Sequence, residues 1–325
     1  MRIVVTGGAG FIGANLVRHL VEHTDAEVAV IDDLSSGFAS NLDGLDPARV
    51  SFHEGTILDR ELLDQVIGRP DRGPSDAIVH LAAVPSVPRS IADPVASHDA
   101  NATGTLEVLE AARRSPRRPQ VIVASSSSVY GANPTLPKSE DLRTQPLSPY
   151  AVSKQATESY ALAYGHCYEL PVLAFRFFNV YGPLQAAGHA YAAAIPTFLD
   201  AALRGQAIPI DGDGGQTRDF TYVGSVAAAI TAAVERQVTS DEPVNLAFGS
   251  RRSILEAVAA IGEVLDRELE REHRGPRPGD VRHSQADGRR LTQLLPGVEP
   301  VPFDQGLAAT VRWFRSLPEY APAAG

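Results

Sequence analysis

Tyr150 and Lys154 are spaced so that they could act together on a proton. Ser148 and Pro149 come just before them and are typical of a helix start, with serine as the N-cap and proline at the first helical position. Residues four apart on a helix lie on one face. A free tyrosine has a pKa near ~10, and a neighbouring ammonium lowers it. The pair therefore predicts a tyrosine that serves as a general base at neutral pH.

Four consecutive serines, residues 125–128, follow a predicted strand at residues 120–124. The carboxyl end of such a strand is where a doubly wound sheet presents side chains to its ligand. A hydroxyl there, such as that of Ser126, could bond the reacting oxygen and relay a proton. No histidine or carboxylate is suitably placed in the sequence to suggest a serine-hydrolase triad instead. The nine histidines lack metal-ligand spacing, so no metal is predicted.

A glycine-rich loop, residues 6–13, joins a predicted strand at residues 2–5 to an amphipathic helix at residues 11–22. Its glycines allow a tight turn and let backbone N–H groups approach a pyrophosphate at the helix N-terminus. About 20 residues further on, the second predicted strand ends at Asp32 and Asp33. A carboxylate there can accept the ribose hydroxyls and would repel a 2′-phosphate. The sequence therefore predicts a dinucleotide site and favours NAD over NADP.

The elements that must position these residues alternate between short apolar runs and helical patterns. This alternation predicts an α/β fold with a doubly wound parallel (Rossmann) sheet, followed by a smaller, mixed α/β substrate domain. The expected division is an NAD-binding domain at residues 1–176 and a substrate-binding domain at 177–325, with part of 217–240 returning to the first. The predicted strands are residues 2–5, 28–31, 50–53, 77–81, 120–124 and 172–175. Predicted helices include residues 11–22, 101–113, 195–204 and 254–266.

Composition narrows the class of protein. The chain has 325 residues, 44% of them hydrophobic and 21% charged, which suits about two globular domains. One cysteine excludes an internal disulfide and a multi-cysteine metal site. The net charge of −10 disfavours nucleic acid and anionic membranes as partners. No apolar run approaches the roughly 18 residues that a membrane helix needs, and the start is too short for a signal peptide, so we expect a cytoplasmic protein.

Taken together, the motifs resemble those of the extended short-chain dehydrogenase/reductases, in particular the nucleotide-sugar 4-epimerases of the UDP-glucose 4-epimerase type. The resemblance covers nearly the whole chain. It implies an enzyme that inverts C4 of a UDP-sugar through a transient 4-keto intermediate with tightly bound NAD. The motifs that carry it are residues 6–13, 32–33, 80–83, 93–94, 101 with 104–105, 125–131, 150 with 154, 176–183, 212–213, 217–220 and 277–280.

The resemblance assigns roles residue by residue. Its implied catalytic residues are Ser126, the serine four before Tyr130, with Tyr150 and Lys154. It implies that NAD is held by Gly7, Gly10, Phe11, Ile12, Asp32, Asp33, Ser36, Gly37, Thr56, Ile57, Leu81, Ala82, Ala83, Asn101, Tyr150, Lys154 and Phe178. It implies that the substrate is held by Ser126, Ser127, Tyr150, Asn179, Arg218, Arg277, Asp280 and Ser284. One departure is Thr56, which stands where the family usually has an aspartate against the adenine.

Small differences select a branch of the family. The 4,6-dehydratases place an Asp-Glu pair after the catalytic Ser/Thr, where this chain has Ser127 and Ser128. A residue that limits the sugar pocket is bulky in glucose-only epimerases, and here it is Ser284. The small side chain favours UDP-GlcNAc and UDP-GalNAc over UDP-glucose and UDP-galactose. Uronate relatives often carry an arginine soon after residue 183, and residues 184–187 offer none; Ser127 and Ser128 could still bond a carboxylate.

Three alternatives remain open at this stage. On the same scaffold, the chain could be a UDP-uronic acid 4-epimerase or a sugar-nucleotide dehydratase or reductase. In a different class, it could be a non-catalytic NAD-binding regulator, although such proteins commonly lose the Tyr–Lys pair. The resemblance also implies a homodimer, formed through the helices at residues 101–113 and 150–168.

Overall fold

The computed structural model of the chain describes residues 1–68, 73–187, 193–275 and 281–320. Its longer strands coincide with the apolar runs of the sequence, and each of the six predicted strands is found within two residues of its expected ends. The strands are β1 Arg2–Thr6, β2 Glu27–Asp32, β3 Val50–Glu54, β4 Ala77–His80, β5 Gln120–Ser126, β6 Val172–Phe177, β7 Asn179–Tyr181, β8 Ile208–Asp211, β9 Thr217–Arg218, β10 Phe220–Tyr222, β11 Val244–Leu246, β12 Arg252–Ser253 and β13 Arg271–Arg274.

Seven of these strands form one sheet in the order β11-β6-β5-β4-β1-β2-β3, and every neighbouring pair runs parallel. The strand order reverses between β4 and β1, which is where a doubly wound sheet opens a crevice at its carboxyl ends. The predicted α/β doubly wound fold is therefore confirmed. Sequence reading missed β11, because three residues are too few for a periodic signal.

Helices cover both faces of the sheet, which is why β1, β4 and β6 are buried along their whole length. Side chains of successive residues point to opposite faces, so Ile3 and Val5 join one apolar cluster and Val4 joins the other. The helices are α1 Phe11–His23, α2 Arg60–Ile67, α3 Val87–Ala92, α4 Pro94–His98, α5 Gly104–Arg114, α6 Pro149–Tyr168, α7 Ala194–Leu203, α8 Val223–Glu235, α9 Ile254–Leu265, α10 Arg289–Leu294 and α11 Phe303–Ser316.

The predicted helix at residues 101–113 differs from the structure at its start. A π-helical turn at Asp99–Thr103 leads from α4 into α5, so Asn101 lies in that turn. The turn has no side-chain N-cap and continues from residues already in helical conformation, so no capping signal marks its start in the sequence.

A third apolar cluster lies in the second half of the chain, where α7, α9 and α11 pack together through side chains such as Leu199, Ile261 and Phe314. Three two-stranded ladders, β7 with β10, β9 with β12 and β8 with β13, border this cluster. They bring the segments around residues 179 and 218 to the carboxyl end of the large sheet.

Two elements from the second half of the chain, α8 and β11, pack with the large sheet and its helices. Helix α8 packs against α1, and β11 pairs with β6. The division at residues 176 and 177, with part of 217–240 returning, stays a prediction. Among the described residues, no helix is both long enough and apolar enough to span a bilayer.

Candidate active site

The glycine loop after β1 forms a cradle that side chains would fill. Gly7 has a φ of 71°, and a Cβ there would lie 2.6 Å from the backbone nitrogen of Ala82. A Cβ on Gly13 would lie 2.1 Å from the carbonyl oxygen of Gly7. Helix α1 begins at Phe11, and Gly10 caps it without a side-chain hydrogen bond. The start of α1 thus offers backbone N–H groups to an anion such as a pyrophosphate.

Asp32 ends β2 and ties that strand to the glycine loop. Its Oδ2 accepts a hydrogen bond from the backbone nitrogen of Ala9 at 2.9 Å, and its Oδ1 accepts one from Leu34 at 2.9 Å. Burial raises the pKa of Asp32, although these two hydrogen bonds oppose the rise. Asp33 is exposed and accepts from the backbone nitrogen of Ser35 at 2.9 Å. Both carboxylates lie at the carboxyl end of β2, as the sequence predicts.

The other residues predicted to hold the dinucleotide differ in exposure. Gly37 is buried, and a Cβ there would lie 2.7 Å from the carbonyl carbon of Ala9, whereas Ser36 is exposed. Thr56 is exposed and Ile57 is buried. Four further members follow β4 or β6: Leu81, Ala82 and Ala83 are partly buried, and Phe178 is buried.

Asn101 is buried, and its side chain joins the loop after β4 to α6. Its Oδ1 accepts from the backbone nitrogen of Val84 at 2.7 Å, and its Nδ2 donates to Ser153 Oγ at 2.9 Å. The structure therefore shows Asn101 holding the wall of the crevice against the helix of Tyr150 and Lys154. A direct contact with NAD stays a prediction.

These features fit a dinucleotide. The glycine loop has no room for a Cβ at Gly7 or Gly13, and it lies where the strand order of the sheet reverses. It adjoins the start of α1, which no side chain caps. The two carboxylates at the end of β2 suit the hydroxyls of a ribose.

The side chain of Ser126 lies near the Tyr150 hydroxyl and lowers its pKa. Ser148 caps α6 by accepting from the backbone nitrogen of Ala151 at 3.2 Å, with Pro149 in the first turn, as predicted. Ser126 Oγ also accepts from the backbone nitrogen of Ser128 at 3.2 Å. A hydroxyl pair of this kind can bind one substrate oxygen and exchange a proton with it.

The expected fall in the pKa of Tyr150 depends on two cations, Lys154 and the nicotinamide ring of NAD, and it stays a prediction. Burial raises the pKa of Tyr150, and the side chain of Ser126 opposes the rise. The Lys154 Nζ donates to the carbonyl oxygen of Ala124 at 2.9 Å. Burial lowers the pKa of Lys154 to about 8, so the ammonium is destabilised where it lies.

A buried ion pair supports this corner of the site. Arg176 forms a bidentate ion pair with Glu158: its Nε donates at 2.8 Å and a terminal nitrogen donates at 2.6 Å. Ser125 Oγ donates to Glu158 Oε2 at 2.8 Å. Glu158 is four residues beyond Lys154, so the pair fixes the reacting face of α6 against β5 and β6.

The residues predicted to hold the sugar nucleotide come from separate segments. The backbone nitrogen of Asn179 donates to the carbonyl oxygen of Asp219 at 3.2 Å, and that of Ser284 donates to the carbonyl oxygen of Thr217 at 3.0 Å. Arg218 lies between these contacts on β9 and is partly buried. Asn179, Arg218 and Ser284 therefore converge, whereas the predicted Arg277 and Asp280 lie outside the described residues.

Three polar groups have buried surroundings that the sequence does not predict. The Oγ of Ser128 and the Oε1 of Gln185 are buried without a hydrogen-bond partner among the described residues. Ser128 belongs to the serine run, and Gln185 lies in the loop after β7. Asp219 is fully buried between Asn179 and Arg218. Only the fold reveals that these polar groups lack partners or are buried, although Ser128 and Asp219 belong to the sequence motifs at residues 125–131 and 217–220.

Comparisons with known proteins identify the family. The model of the NAD dependent epimerase/dehydratase family matches residues 3–247. The UDP-glucose 4-epimerase of Mycolicibacterium smegmatis is 37% identical over 317 residues, covering 97% of this chain and 99% of that protein. The dTDP-glucose 4,6-dehydratase of Escherichia coli is 32% identical over 344 residues, covering 97% and 92%.

Among solved structures, the UDP-N-acetylglucosamine 4-epimerase from Methanobrevibacter ruminantium M1, in complex with UDP-N-acetylmuramic acid, superimposes with a TM-score of 0.90. It is 36% identical and covers 97% of this chain and 98% of its own. The site and fold define a dinucleotide-dependent enzyme of the short-chain dehydrogenase/reductase type. The chain belongs to the NAD dependent epimerase/dehydratase family. The predictions of the family, of an enzyme and of NAD as the cofactor are therefore confirmed.

Proposed function

We propose that this chain is a UDP-sugar 4-epimerase that takes UDP-N-acetylglucosamine and UDP-N-acetylgalactosamine in preference to UDP-glucose and UDP-galactose. The observation that carries the proposal is the placement of Tyr150 next to Ser126, whose side chain lowers the pKa of the tyrosine, together with the buried Lys154 that donates to Ala124 near the carboxyl end of β5. One oxygen of a sugar can be held by both hydroxyls at once. An enzyme that inverts a single carbon needs its proton-transfer groups at that carbon's oxygen alone.

The two serines after Ser126 support an epimerase over a dehydratase. A dehydratase must also move protons at C5 and C6, and it places two carboxyl groups after its Ser/Thr for that purpose. Ser127 and Ser128 cannot do this work at neutral pH. Their hydroxyls can only donate to or accept from a sugar substituent.

The residues around the sugar support an N-acetylated substrate. Ser284 is small and is held beside Thr217 on β9. An amide substituent would offer both a donor and an acceptor to an unpartnered polar atom, and Ser128 Oγ in the serine run is a buried atom of that kind in the described chain.

In the proposed reaction, Tyr150 takes the proton of the sugar 4-hydroxyl and returns it after inversion, while Ser126 holds the 4-oxygen. Bound NAD supplies a carrier that accepts a hydride and gives it back. Gly7, Gly10, Phe11 and Ile12 would hold its pyrophosphate through backbone N–H groups. The remaining cofactor and substrate residues keep the roles that the resemblance implies, with Arg218 and Arg277 opposing the charge of the UDP diphosphate and Asp280 accepting from the uridine ribose.

The test is to incubate the purified protein, without added NAD, with UDP-GlcNAc, UDP-glucose and UDP-glucuronic acid separately, and to follow the sugars by NMR. We expect the C4 epimer of UDP-GlcNAc to form fastest, and a Tyr150→Phe control to form none at a measurable rate. A 4-keto-6-deoxy product would assign the chain to the dehydratases. Fastest inversion of the uronate would assign it to the uronate epimerases, and full turnover by the Tyr150→Phe control would indicate a non-catalytic role for that tyrosine.

We also propose a cytoplasmic homodimer. The exposed apolar side chains that support it lie on α6 and on the two short helices beside it: Val152, Tyr160, Tyr168, Ile91 and Val95 are each more than 40% exposed. Helix α5, which the resemblance pairs with α6, exposes no large apolar side chain in the described chain. Sedimentation of the wild type against Tyr160→Glu tests the dimer, and an unchanged monomeric mass in both would contradict it.

A further inference from the structure

Asp219 is a buried carboxylate that no cation compensates. Its side chain is 0% exposed, and within residues 1–68, 73–187, 193–275 and 281–320 it forms no ion pair. Burial raises the pKa of Asp219 to about 6. A buried carboxylate without a counter-charge destabilises a fold unless several donors hold it. Two hydrogen bonds from protein donors hold this one.

The donors come from two segments far from Asp219 in the sequence. Oδ1 accepts from Ser250 Oγ at 2.9 Å, and the nearby backbone of Gly249 and Ser250 opposes the rise in the pKa of the carboxyl. Oδ2 accepts from the backbone nitrogen of Ala286 at 3.0 Å. Asp219 therefore joins its own strand to the segments at residues 249–250 and 284–286.

The segment at residues 284–286 carries Ser284, the small residue of the proposed sugar pocket. Two backbone hydrogen bonds with Thr217 run beside it: Thr217 donates to Arg282 at 2.9 Å and accepts from Ser284 at 3.0 Å. The Ala286–Asp219 bond continues this ladder through a side chain. Ser284 is thus fixed on one side by Thr217 and on the other by Asp219.

Asp219 also contacts the opposite wall of the proposed pocket through its backbone. Its carbonyl oxygen accepts from the backbone nitrogen of Asn179 at 3.2 Å, and Arg218 is its immediate neighbour. One residue therefore sets the distance between the segments of Asn179, Arg218 and Ser284. An asparagine in its place would keep the size of the side chain but remove its charge, which weakens the hydrogen bonds from Ser250 Oγ and the Ala286 N–H.

We propose that Asp219 is a positioning residue for sugar selectivity: it fixes Ser284 relative to Asn179 and Arg218, and so keeps open the space for a bulky substituent on the sugar. This rests on the proposed function, because it assumes that Ser284 borders the sugar. Asp219 itself need not touch the substrate. Its loss should weaken the binding of N-acetylated substrates more than that of the smaller UDP-glucose.

The test compares Asp219→Asn with Asp287→Asn. Asp287 lies one residue beyond Ala286, but its carboxylate pairs with the exposed Arg289 at 2.6 Å rather than with the pocket. For Asp219→Asn we expect KM for UDP-GlcNAc to rise about 10-fold with kcat changed much less, and KM for UDP-glucose to change about 2-fold. Asp287→Asn should leave both KM values near those of the wild type.

Two further measurements separate a positioning effect on sugar selectivity from a general loss of fold stability. Ser250→Ala removes one donor and should shift the ratio of the two KM values in the same direction by a smaller factor, with the melting temperature nearly unchanged. In a Ser284→Tyr background, Asp219→Asn should no longer change that ratio, because both substitutions act through the same segment.

The outcomes are distinct. If Asp219→Asn weakens both substrates equally and only in proportion to its loss of melting temperature, the residue is merely structural and the inference fails. An unchanged ratio in a stable Asp219→Asn variant also overturns it. If the wild type epimerises neither substrate, the proposed function fails first, and the binding of UDP to the wild type then shows whether the nucleotide site exists.

Discussion

Lys154 and Asp219 are buried charges in two different parts of the candidate site, and neither forms an ion pair within the described ranges. Lys154 lies in the catalytic corner, where burial lowers its pKa to about 8. Asp219 lies in the sugar pocket, where burial raises its pKa to about 6. Both groups are therefore kept charged near neutral pH against the preference of their surroundings.

The two regions differ in how they are assembled. In the catalytic corner, Tyr150, Lys154 and Glu158 lie on one face of a single helix. Their proximity can therefore be predicted from the spacing of four residues between them. In the sugar pocket, Asp219 gathers segments that are up to 67 residues away in sequence. This contrast indicates that reacting groups can be recognised from a motif, whereas the groups that hold the pocket in shape become visible only in the fold.

The strongest test of the catalytic corner is Tyr150→Phe. Removing a general acid–base group lowers turnover by a factor of about 1,000, which corresponds to about 4 kcal/mol. We expect this loss in kcat with the bound NAD content and the melting temperature unchanged. Turnover of the preferred sugar by NMR, and NAD released on denaturation, measure the two quantities. Loss of NAD together with activity would mean that Tyr150 serves the cofactor rather than the proton.

Breaking the ion pair behind that corner should affect stability next. Glu158 and Arg176 are both more than 90% buried, and removing one partner of such a pair leaves an uncompensated charge. We expect Glu158→Gln to lower the free energy of unfolding by about 3 kcal/mol, measured by urea titration. The matched control is Glu272→Gln, which breaks an exposed pair with Arg274 and should change stability by less than about 1 kcal/mol. Equal effects of the two substitutions would contradict the assigned burial.

Lys154→Met sharpens the comparison between the two buried charges. The folded pKa of Lys154, about 8, lies below its ordinary value of 10.5, so charging the amine destabilises the fold at pH values below 8. The difference between the two pKa values corresponds to at most about 3 kcal/mol in the free energy of unfolding. We expect the variant to be inactive yet more stable than the wild type by about 2 kcal/mol at pH 7. This advantage should shrink as the pH rises from 8 to 10.5, since wild-type stability increases over that window.

Urea unfolding of both proteins at pH 7 and pH 10 measures the effect. A variant that is less stable than the wild type at pH 7 would show that the hydrogen bond from Lys154 to Ala124 outweighs the burial of the charge. In that case the two buried charges would not be equivalent.

The smallest expected effect concerns selectivity in the sugar pocket. Ser284→Tyr should lower kcat/KM for UDP-GlcNAc at least 10-fold, about 1.4 kcal/mol, and leave UDP-glucose within about 2-fold. The physical reason is the volume of the phenol ring beside the N-acetyl group. A parallel fall for both substrates would show that residue 284 does not limit the pocket.

Most of the fold was readable from the sequence because parallel strands are buried on both faces and form continuous apolar runs. The glycine loop and the helix cap of Tyr150 were readable for a local reason, since each depends on neighbours within a few residues. The environment of Lys154 was not, because its partner Ala124 and the depth of burial arise from the packing of α6 on β5. The burial of Asp219 could not be predicted either, since an Arg-Asp sequence by itself suggests a surface ion pair.

The edge strand Val244–Leu246 has a consequence for how such enzymes can diversify. It pairs with β6, and the helix before it packs on α1, although both follow most of the sugar-binding segments in the chain. A single genetic crossover near residue 177 would thus import a foreign strand and helix along with a foreign pocket. We expect new sugar preferences to arise by point changes within loops rather than by the shuffling of whole halves between relatives.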